Sequence, residues 1–323
     1  MTTKVSSLLH RIAISEICVA LVTLTFGALV TTKHAGMAFP DWPTSDGYLM
    51  VTYPWLKDYA VNWNKFLEHG HRLAGMLIGM WSIGLVICTF CLDQRKWVRG
   101  LAVGILLGVI CQGILGGFRV QLNDRGLAML HGIFAAIVFS LMGALAVSTS
   151  TGWFAVTENS NRSQRMGKFQ GFALILMAVL VMQYLFGSMI RHQGRGLHEH
   201  LGLGILALLL VVANAIMAQR AESRWLRRGA LVLLMVGFGQ VGLGLGTWVV
   251  KFGLAQVGYV AVMDSLQQVL LRTAHMVWGV VTLMTAVVYL MKVFRVAAVS
   301  PRLSEPVLEL RRSASLVQSG GAR

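Results

Sequence analysis

Apolar residues form eight long blocks along this chain, and polar residues are concentrated in the short segments between them. The blocks cover residues 12–33, 69–92, 97–120, 127–149, 168–190, 198–219, 226–250 and 270–294. A helix needs about 20 residues to cross a hydrocarbon layer of about 30 Å, and each block reaches that length. Backbone polar groups in lipid must be satisfied within the segment. The pattern therefore predicts an all-α integral membrane protein with eight transmembrane helices.

Composition supports this prediction, and the distribution of charge adds an orientation. The chain is 56% hydrophobic and 13% charged, with a net charge of +15. Basic residues cluster before the first block, in alternate connections (95–99, 162–168 and 220–228) and from residue 292 onward. Such a bias orients helices with their basic connections inside, so it does not indicate a nucleic-acid partner. We expect a multi-pass protein of the bacterial cytoplasmic membrane with both termini inside.

The two halves of the chain resemble each other. Four landmarks recur in the same order: Phe26-Gly27 and Phe186-Gly187, His69-Gly-His71 and His198-Glu-His200, the glycine-rich segments after Gln112 and Gln240, and His131 and His275. The polar stretch from Thr157 to Arg165 divides the halves. The repeat predicts two tandem, pseudo-twofold-related four-helix bundles, residues 1–156 and 157–295. A basic cytoplasmic tail, 296–323, is expected to be disordered.

The histidines carry the candidate chemistry. Eight of the nine histidines fall on the predicted outer side, and four open the even-numbered blocks: His71, His131, His200 and His275. Two imidazoles from neighbouring helices can hold one haem iron between them. We therefore predict two haem sites near the outer face, one from His71 and His131 and one from His200 and His275. His198 is left as an alternative to His200, and His34, His69 and His192 receive no role.

One charged pair distinguishes the halves. Glu68 lies three residues before His71, on the same helix face, and Arg72 follows His71 directly. The corresponding positions of the second half are Leu197 and Leu201. We predict that Glu68 makes the first site the catalytic one and that the second relays electrons. A helix cap is the other interpretation of Glu68. Arg72 either snorkels or binds a carboxylate such as a haem propionate.

Two readings of the glycine-rich segments stay open. Gly113 with Gly117, and Gly242 with Gly246, have the four-residue spacing that allows helices to pack closely. The same glycines could leave room for a flat macrocycle.

Together these motifs resemble the haem A synthase family over residues 12–295. The resemblance rests on Gly36-Met-Ala-Phe-Pro-Asp-Trp-Pro43, Glu68-His-Gly-His-Arg72, the Gln112 and Gln240 segments, and Arg191-His192. It implies oxidation of the C8 methyl of haem O to a formyl group, giving haem A for cytochrome c oxidase. It implies that His71 and His131 flank the substrate haem, that His200 and His275 hold a haem b cofactor, and that Glu68 is the essential carboxylate.

The resemblance also suggests partners. These are the haem O synthase, cytochrome oxidase assembly factors, an electron donor and a second copy of the chain. The cysteine pairs common in outer loops of the family are absent, because all four cysteines lie in apolar blocks. The chain is therefore similar to the cysteine-free branch. Two other classes compete: a di-haem b electron carrier of the quinone-linked cytochrome b type, and a transporter that uses His and Glu as a pathway.

Overall fold

A computed structural model describes residues 6–156 and 163–299. Within them, eight helices are long and apolar enough to cross a membrane, which confirms the prediction of an all-α membrane protein. They are α1 Ser7–Thr32, α2 Trp63–Leu92, α3 Lys96–Leu122, α4 Arg125–Thr149, α5 Ser163–Gln193, α6 Leu197–Gln219, α7 Arg224–Phe252 and α8 Leu266–Val299. Short helices at Asp58–Val61 and Thr151–Ala155 lie in the connections.

Polar caps start several of these helices. The side chain of Ser6 accepts the Leu9 N–H, that of Asn62 the Lys65 N–H, and that of Asp124 the Leu127 N–H. Such caps satisfy N–H groups that the first turn leaves unpaired.

The even-numbered helices begin earlier than the apolar blocks predict. For example, Asn62 caps α2 at Trp63. The first turns are helical although they are too polar to belong to the apolar blocks. His71 and His275 consequently lie about two turns inside their helices rather than at the openings. The prediction that the four histidines begin their helices is corrected in this respect.

Helix contacts follow the two halves. α1 packs on α2, α2 on α3, α3 on α4 and α4 on α1, and the same ring recurs for α5, α6, α7 and α8. Helices α1, α4, α5 and α8 also pack across the middle of the molecule. There Phe139, Met142, Leu283 and Tyr289 belong to one buried cluster that spans both halves. The division into two tandem bundles stays an interpretation of this contact pattern.

Two predicted features fall partly outside the described residues. The dividing stretch lies there at 157–162, and the basic tail lies there from residue 300 onward. The described residues 296–299 continue α8, so the prediction that the tail begins at 296 is wrong for these four positions.

Two long connections lie at one end of the bundle, which we call the histidine end. The first connection joins α1 to α2 through residues 33–62, and the second joins α7 to α8 through residues 253–265. The first contains a 3-10 turn at Trp55–Lys57 and a cis peptide between Trp42 and Pro43. The second contains a 3-10 turn at Ala255–Val257.

Candidate functional site

The four predicted histidines form two matching pairs. The ring centroids of His71 and His131 are 6.2 Å apart with an interplanar angle of 86°. Those of His200 and His275 are also 6.2 Å apart, at 89°. Each pair brings one ring from each of two helices of the same half, so the duplication visible in the sequence is also a duplication of geometry.

A backbone carbonyl orients one ring of each pair. Nδ1 of His71 lies 3.0 Å from the Thr23 carbonyl oxygen, and Nδ1 of His200 lies 3.1 Å from that of Gln183. A proton on Nδ1 that is donated to a carbonyl leaves the lone pair of Nε2 free for a metal. The side-chain nitrogen of Gln183 lies 3.4 Å from Nε2 of His200, so this amide must turn aside when Nε2 binds a metal.

The other ring of each pair is held more loosely. Nδ1 of His131 and of His275 interacts with the backbone of Gln112 and Gln240, respectively, but neither contact meets hydrogen-bond geometry. These two buried nitrogens are therefore left without a full partner. The side-chain amide of Gln112 instead donates to the His131 carbonyl at 3.1 Å.

Each ring lies against a glycine of the neighbouring odd-numbered helix. A Cβ added at Gly27 would lie 2.9 Å from Cε1 of His71, and one at Gly116 would lie 3.3 Å from Cε1 of His131. Gly187 and Gly244 stand in the same relation to His200 and His275, at 3.1 Å each. An added methyl group would collide with the His71 ring and would force the other three rings to move by a few tenths of an ångström, so the four glycines let the rings lie this close.

The glycines that contact the histidines are not the ones that the sequence pattern singled out. Gly113 and Gly242 have no atom within 4 Å of an added Cβ, so they do not mediate close packing. Gly117 contacts the ring of Trp42, and Gly246 contacts Leu271. The repeated signal is instead a residue that offers its carbonyl, followed four positions later by the glycine: Thr23 and Gly27, Gln112 and Gly116, Gln183 and Gly187, Gln240 and Gly244.

The spacing of the rings suits one metal ion between each pair. Metal–imidazole bonds of about 2.0–2.1 Å on opposite sides of an ion place the ring centroids about 6 Å apart. Throughout residues 6–156 and 163–299, no group of three or more His, Cys, Asp or Glu side chains is placed to hold a metal. Each pair presents two imidazoles to one point, which is the number of axial ligands that a haem iron can take.

Glu68 and Arg72 join the first site to the connection above it. One carboxylate oxygen of Glu68 accepts a hydrogen bond from Arg72 at 2.8 Å. The other accepts the N–H groups of Ala38 and Phe39 at 2.7 and 3.3 Å. Only 4% of the Glu68 side chain and 7% of the Arg72 side chain are exposed. Glu68 is therefore held by three donors and is not the helix cap that the alternative interpretation proposed, since Asn62 caps α2.

Arg72 continues this network into the Pro-Asp-Trp-Pro segment. Its Nη1 donates to the carbonyls of Asp41 and Thr44 at 2.9 and 2.7 Å and to the Ser45 hydroxyl at 3.3 Å. The segment also contacts α3, where the Trp42 ring lies against Gly117. Arg72 therefore donates hydrogen bonds to the first connection. A role in binding a haem carboxylate stays a prediction.

Asp41 organises the turn that follows. Its carboxylate accepts the N–H groups of Asp46 and Gly47, each at 2.9 Å. Partial burial raises the pKa of Asp41, but hydrogen bonds from Gly47, Thr44 and Asp46 outweigh burial and lower this pKa to about 2. The turn is therefore built around an ionised carboxylate.

The remaining outer histidines differ in their surroundings. His34 and His198 are exposed, and His192 is half-buried. His69 is fully buried: its Nδ1 lies 3.1 Å from the Ser45 hydroxyl, and its ring centroid lies 4.7 Å from that of Tyr53. His69 thus holds the first connection in place. The His200 ring faces His275 whereas His198 does not, which favours His200 in the choice left open by sequence.

Sequence reasoning missed three arginines at the histidine end as site residues. Arg119 ends α3 and donates to the Gly36 carbonyl at 2.6 Å, and Arg191 donates from α5 to the Ala28 carbonyl of α1 at 2.8 Å. Arg272 lies three residues before His275. Their spacing in the sequence could have identified them, because each lies about one helical turn from a paired histidine or from the glycine that contacts one.

These features define a multi-pass helical membrane protein with two duplicated histidine-pair sites. The profile of the family described as "Cytochrome oxidase assembly protein" matches residues 10–201, more than half of the chain. The chain belongs to this family. The matched region includes His71, His131 and His200, and His275 lies beyond it.

The chain is similar to several curated proteins over a limited part of their length. The chain is 27% identical over 161 residues to "Heme A synthase" of Methylobacterium radiotolerans, covering 47% of this chain and 42% of the relative. It is 30% identical over 134 residues to "Heme A synthase" of Rhodopseudomonas palustris, covering 38% and 35%. The match to that of Listeria monocytogenes is 26% over 128 residues, covering 38% and 39%. The chain thus spans about two fifths of the length of these relatives. No solved structure matches the chain.

Proposed function

We propose that the protein is a haem A synthase that oxidises the C8 methyl of haem O to a formyl group by successive hydroxylation. The observation that carries this proposal is the pairing of two near-identical histidine sites with a buried Glu68–Arg72 pair at only one of them. The family membership and the names of the relatives support the same activity.

In this proposal His71 and His131 hold the substrate, and His200 and His275 hold a haem b cofactor. A haem b held by His200 and His275 would supply electron-transfer chemistry to the first site. The chain itself contributes the axial nitrogens, the glycines that let the rings lie close to the neighbouring helix, and a low-dielectric interior. The halves 1–156 and 157–295 then divide substrate and cofactor between them.

Glu68 would act through its charge at the substrate. Three donors keep its carboxylate in one position, one helical turn from His71 on the same face. A negative charge fixed there would stabilise positive charge that develops on the reacting ring of haem O, because preorganised charges are effective in a site of low dielectric. The network to Ala38, Phe39 and Arg72 would also close the connection over this site and exclude water.

The proposed orientation follows the basic connections. With N and C termini inside, the histidine end faces outward, and the substrate and haem b lie near the outer leaflet. Lipid-soluble haem O would then reach the first site from the membrane, with the haem O synthase, oxidase assembly factors and an electron donor as partners.

Identification of the bound haems tests the function. The protein is purified from membranes, the haems are extracted, and their masses are determined. Haem O or haem A beside haem B supports the synthase. Haem B alone would instead indicate a di-haem electron carrier, and a preparation without haem would indicate a transporter.

A further inference from the structure

Three half-buried arginines at the histidine end have no carboxylate partner among residues 6–156 and 163–299. The salt bridges there join Lys65 to Asp46, Arg72 to Glu68 and Arg95 to Asp93. None reaches Arg119, Arg191 or Arg272. Removing a guanidinium from water is costly unless an anion or several acceptors replace the water. The three guanidinium groups are therefore left without a salt-bridge partner within these residues.

Arg119 lies directly above the first histidine pair. It follows Gly116, the glycine that contacts His131, by three residues, so it lies one turn further toward the histidine end on about the same face of α3. The Gly36 carbonyl takes only one of the five N–H donors of Arg119, so the guanidinium keeps donors for a further acceptor.

Arg191 and Arg272 lie beyond the second pair, on helices that the repeat does not match to the helix of Arg119. Arg191 follows Gly187, which contacts His200, by four residues, and Arg272 precedes His275 by three. The interval in each case is again about one helical turn. Like-charged side chains repel, and Arg191 does experience the charge of Arg272. An anion that lies between them would relieve this repulsion.

Arg191 also connects the two halves. Its Nη2 donates to the Ala28 carbonyl at 2.8 Å and to the Thr32 hydroxyl at 3.3 Å. The hydroxyl of Thr273 contacts the same Thr32 oxygen at 3.3 Å. Helices α1, α5 and α8 therefore meet at one polar point between the two histidine pairs. Neutral acceptors orient the guanidinium there without cancelling its charge.

We propose that Arg119, Arg191 and Arg272 bind the propionate carboxylates of the two haems, with Arg119 serving the first pair and Arg191 and Arg272 the second. This inference rests on the proposed function, because it assumes a haem at each pair. It assigns the carboxylate-binding role to these arginines rather than to Arg72, which already has a carboxylate partner in Glu68 and donates its Nη1 to Asp41, Thr44 and Ser45. Oxyanions of anionic lipid headgroups have the same chemistry and are the other source that the test must separate.

The test uses the full-length protein purified with its haems. Arg119→Gln, Arg191→Gln and Arg272→Gln are compared with Arg195→Gln, an exposed arginine just beyond α5. Haem release to excess apomyoglobin is followed spectroscopically, propionate bending bands are recorded by resonance Raman, and co-purified phospholipid is quantified. We expect each of the three variants to release haem about tenfold faster or more, the factor for one charge-assisted hydrogen bond. We also expect the propionate bands to shift in these variants and to stay unchanged in Arg195→Gln.

Other results would overturn the inference. Unchanged release rates and Raman bands in all three variants would show that the arginines do not bind propionates, while the proposed function would stand because haem is still present. Loss of bound anionic phospholipid with unchanged haem release would assign the arginines to lipid binding. A wild-type protein without any haem would overturn the proposed function itself. If a Gln variant fails to accumulate, the corresponding Lys variant is measured, and an intermediate release rate supports the inference.

Discussion

The carboxylate of Glu68 and the guanidinium of Arg72 form a buried ion pair with a distance of 2.8 Å, one turn apart on α2. Both residues extend this pair to the backbone of the first connection, at Ala38 and Phe39 on one side and at Asp41 and Thr44 on the other. In the second half the corresponding residues are leucines. The pair therefore links the chemistry of one site to the order of the segment that covers it.

Replacement of Glu68 separates its charge from its hydrogen bonds. Glu68→Gln keeps one acceptor oxygen and a similar shape but leaves the charge of Arg72 unbalanced. We expect it to lower haem A formation about a hundredfold, as loss of an electrostatic stabiliser does, while haem B content stays unchanged. Haem extraction from membranes measures both quantities.

Glu68→Ala removes the charge and the acceptors together. It should abolish haem A formation and also expose the 33–62 connection to protease. Normal accumulation of haem A in this variant would refute the catalytic assignment of Glu68.

The two histidine pairs should respond independently to substitution. His131→Ala should remove the haem of the first site and leave a low-spin haem B spectrum, because His200 and His275 belong to other helices. His275→Ala should remove the haem of the second site and leave that of the first. It should also stop haem A formation, because the first site would no longer receive electrons. Optical and EPR spectra of the purified variants distinguish the two cases. Loss of both haems from either variant would contradict two separate sites.

The glycine contacts provide a matched pair of substitutions on α7. Gly244→Ala places a methyl group 3.1 Å from the His275 ring, whereas Gly242→Ala meets no atom within 4 Å. Both changes favour the helix by up to about 1 kcal/mol. We expect Gly242→Ala to raise thermal stability without effect on haem content, and Gly244→Ala to weaken haem retention. Thermal unfolding and the haem-to-protein ratio are the measurements, and equal haem retention would show that His275 tolerates displacement.

The Asp41 turn should have a defined dependence on pH. The folded pKa of about 2 lies below the ordinary value of 3.8. Stability from this carboxylate is thus fully present above about pH 4 and is lost as pH falls toward 2. Fluorescence of Trp42 and its neighbours, recorded between pH 5 and about 2, should report loosening of the connection.

Asp41→Asn is the control for this pH dependence. It should loosen the connection at neutral pH and remove the acidic transition. The same acidic transition in Asp41→Asn would assign the effect to another group.

Much of the fold and the pairing of the histidines followed from the sequence. Hydrophobic length alone identifies membrane helices, because lipid permits few other structures. The repeat then gives each half two of the four histidines, so it pairs His71 with His131 and His200 with His275. Helix starts were less predictable, because polar first turns such as Trp63–Phe66 belong to α2 but fail a hydropathy test.

Only the tertiary structure showed which glycines contact the histidines and which groups the arginines contact. Gly116 and Gly117 are one residue, about 100°, apart around α3, and an added Cβ would meet His131 at the first and Trp42 at the second. Gly113 lies on about the same face as Gly117 but one turn away, where an added Cβ meets no atom within 4 Å. The partners of Arg191 are on α1, more than 150 residues away in the chain. No local pattern encodes such a contact.

The sequence by itself determined the eight helices, the duplication, the four histidines and the unduplicated Glu68 and Arg72, because these depend on composition and on order along the chain. The tertiary structure decided what the charged residues contact. It placed Arg72 in the first connection and left Arg119, Arg191 and Arg272 without a carboxylate among the described residues. Whether a charge is already balanced depends on groups from distant helices, and only folding brings those groups together.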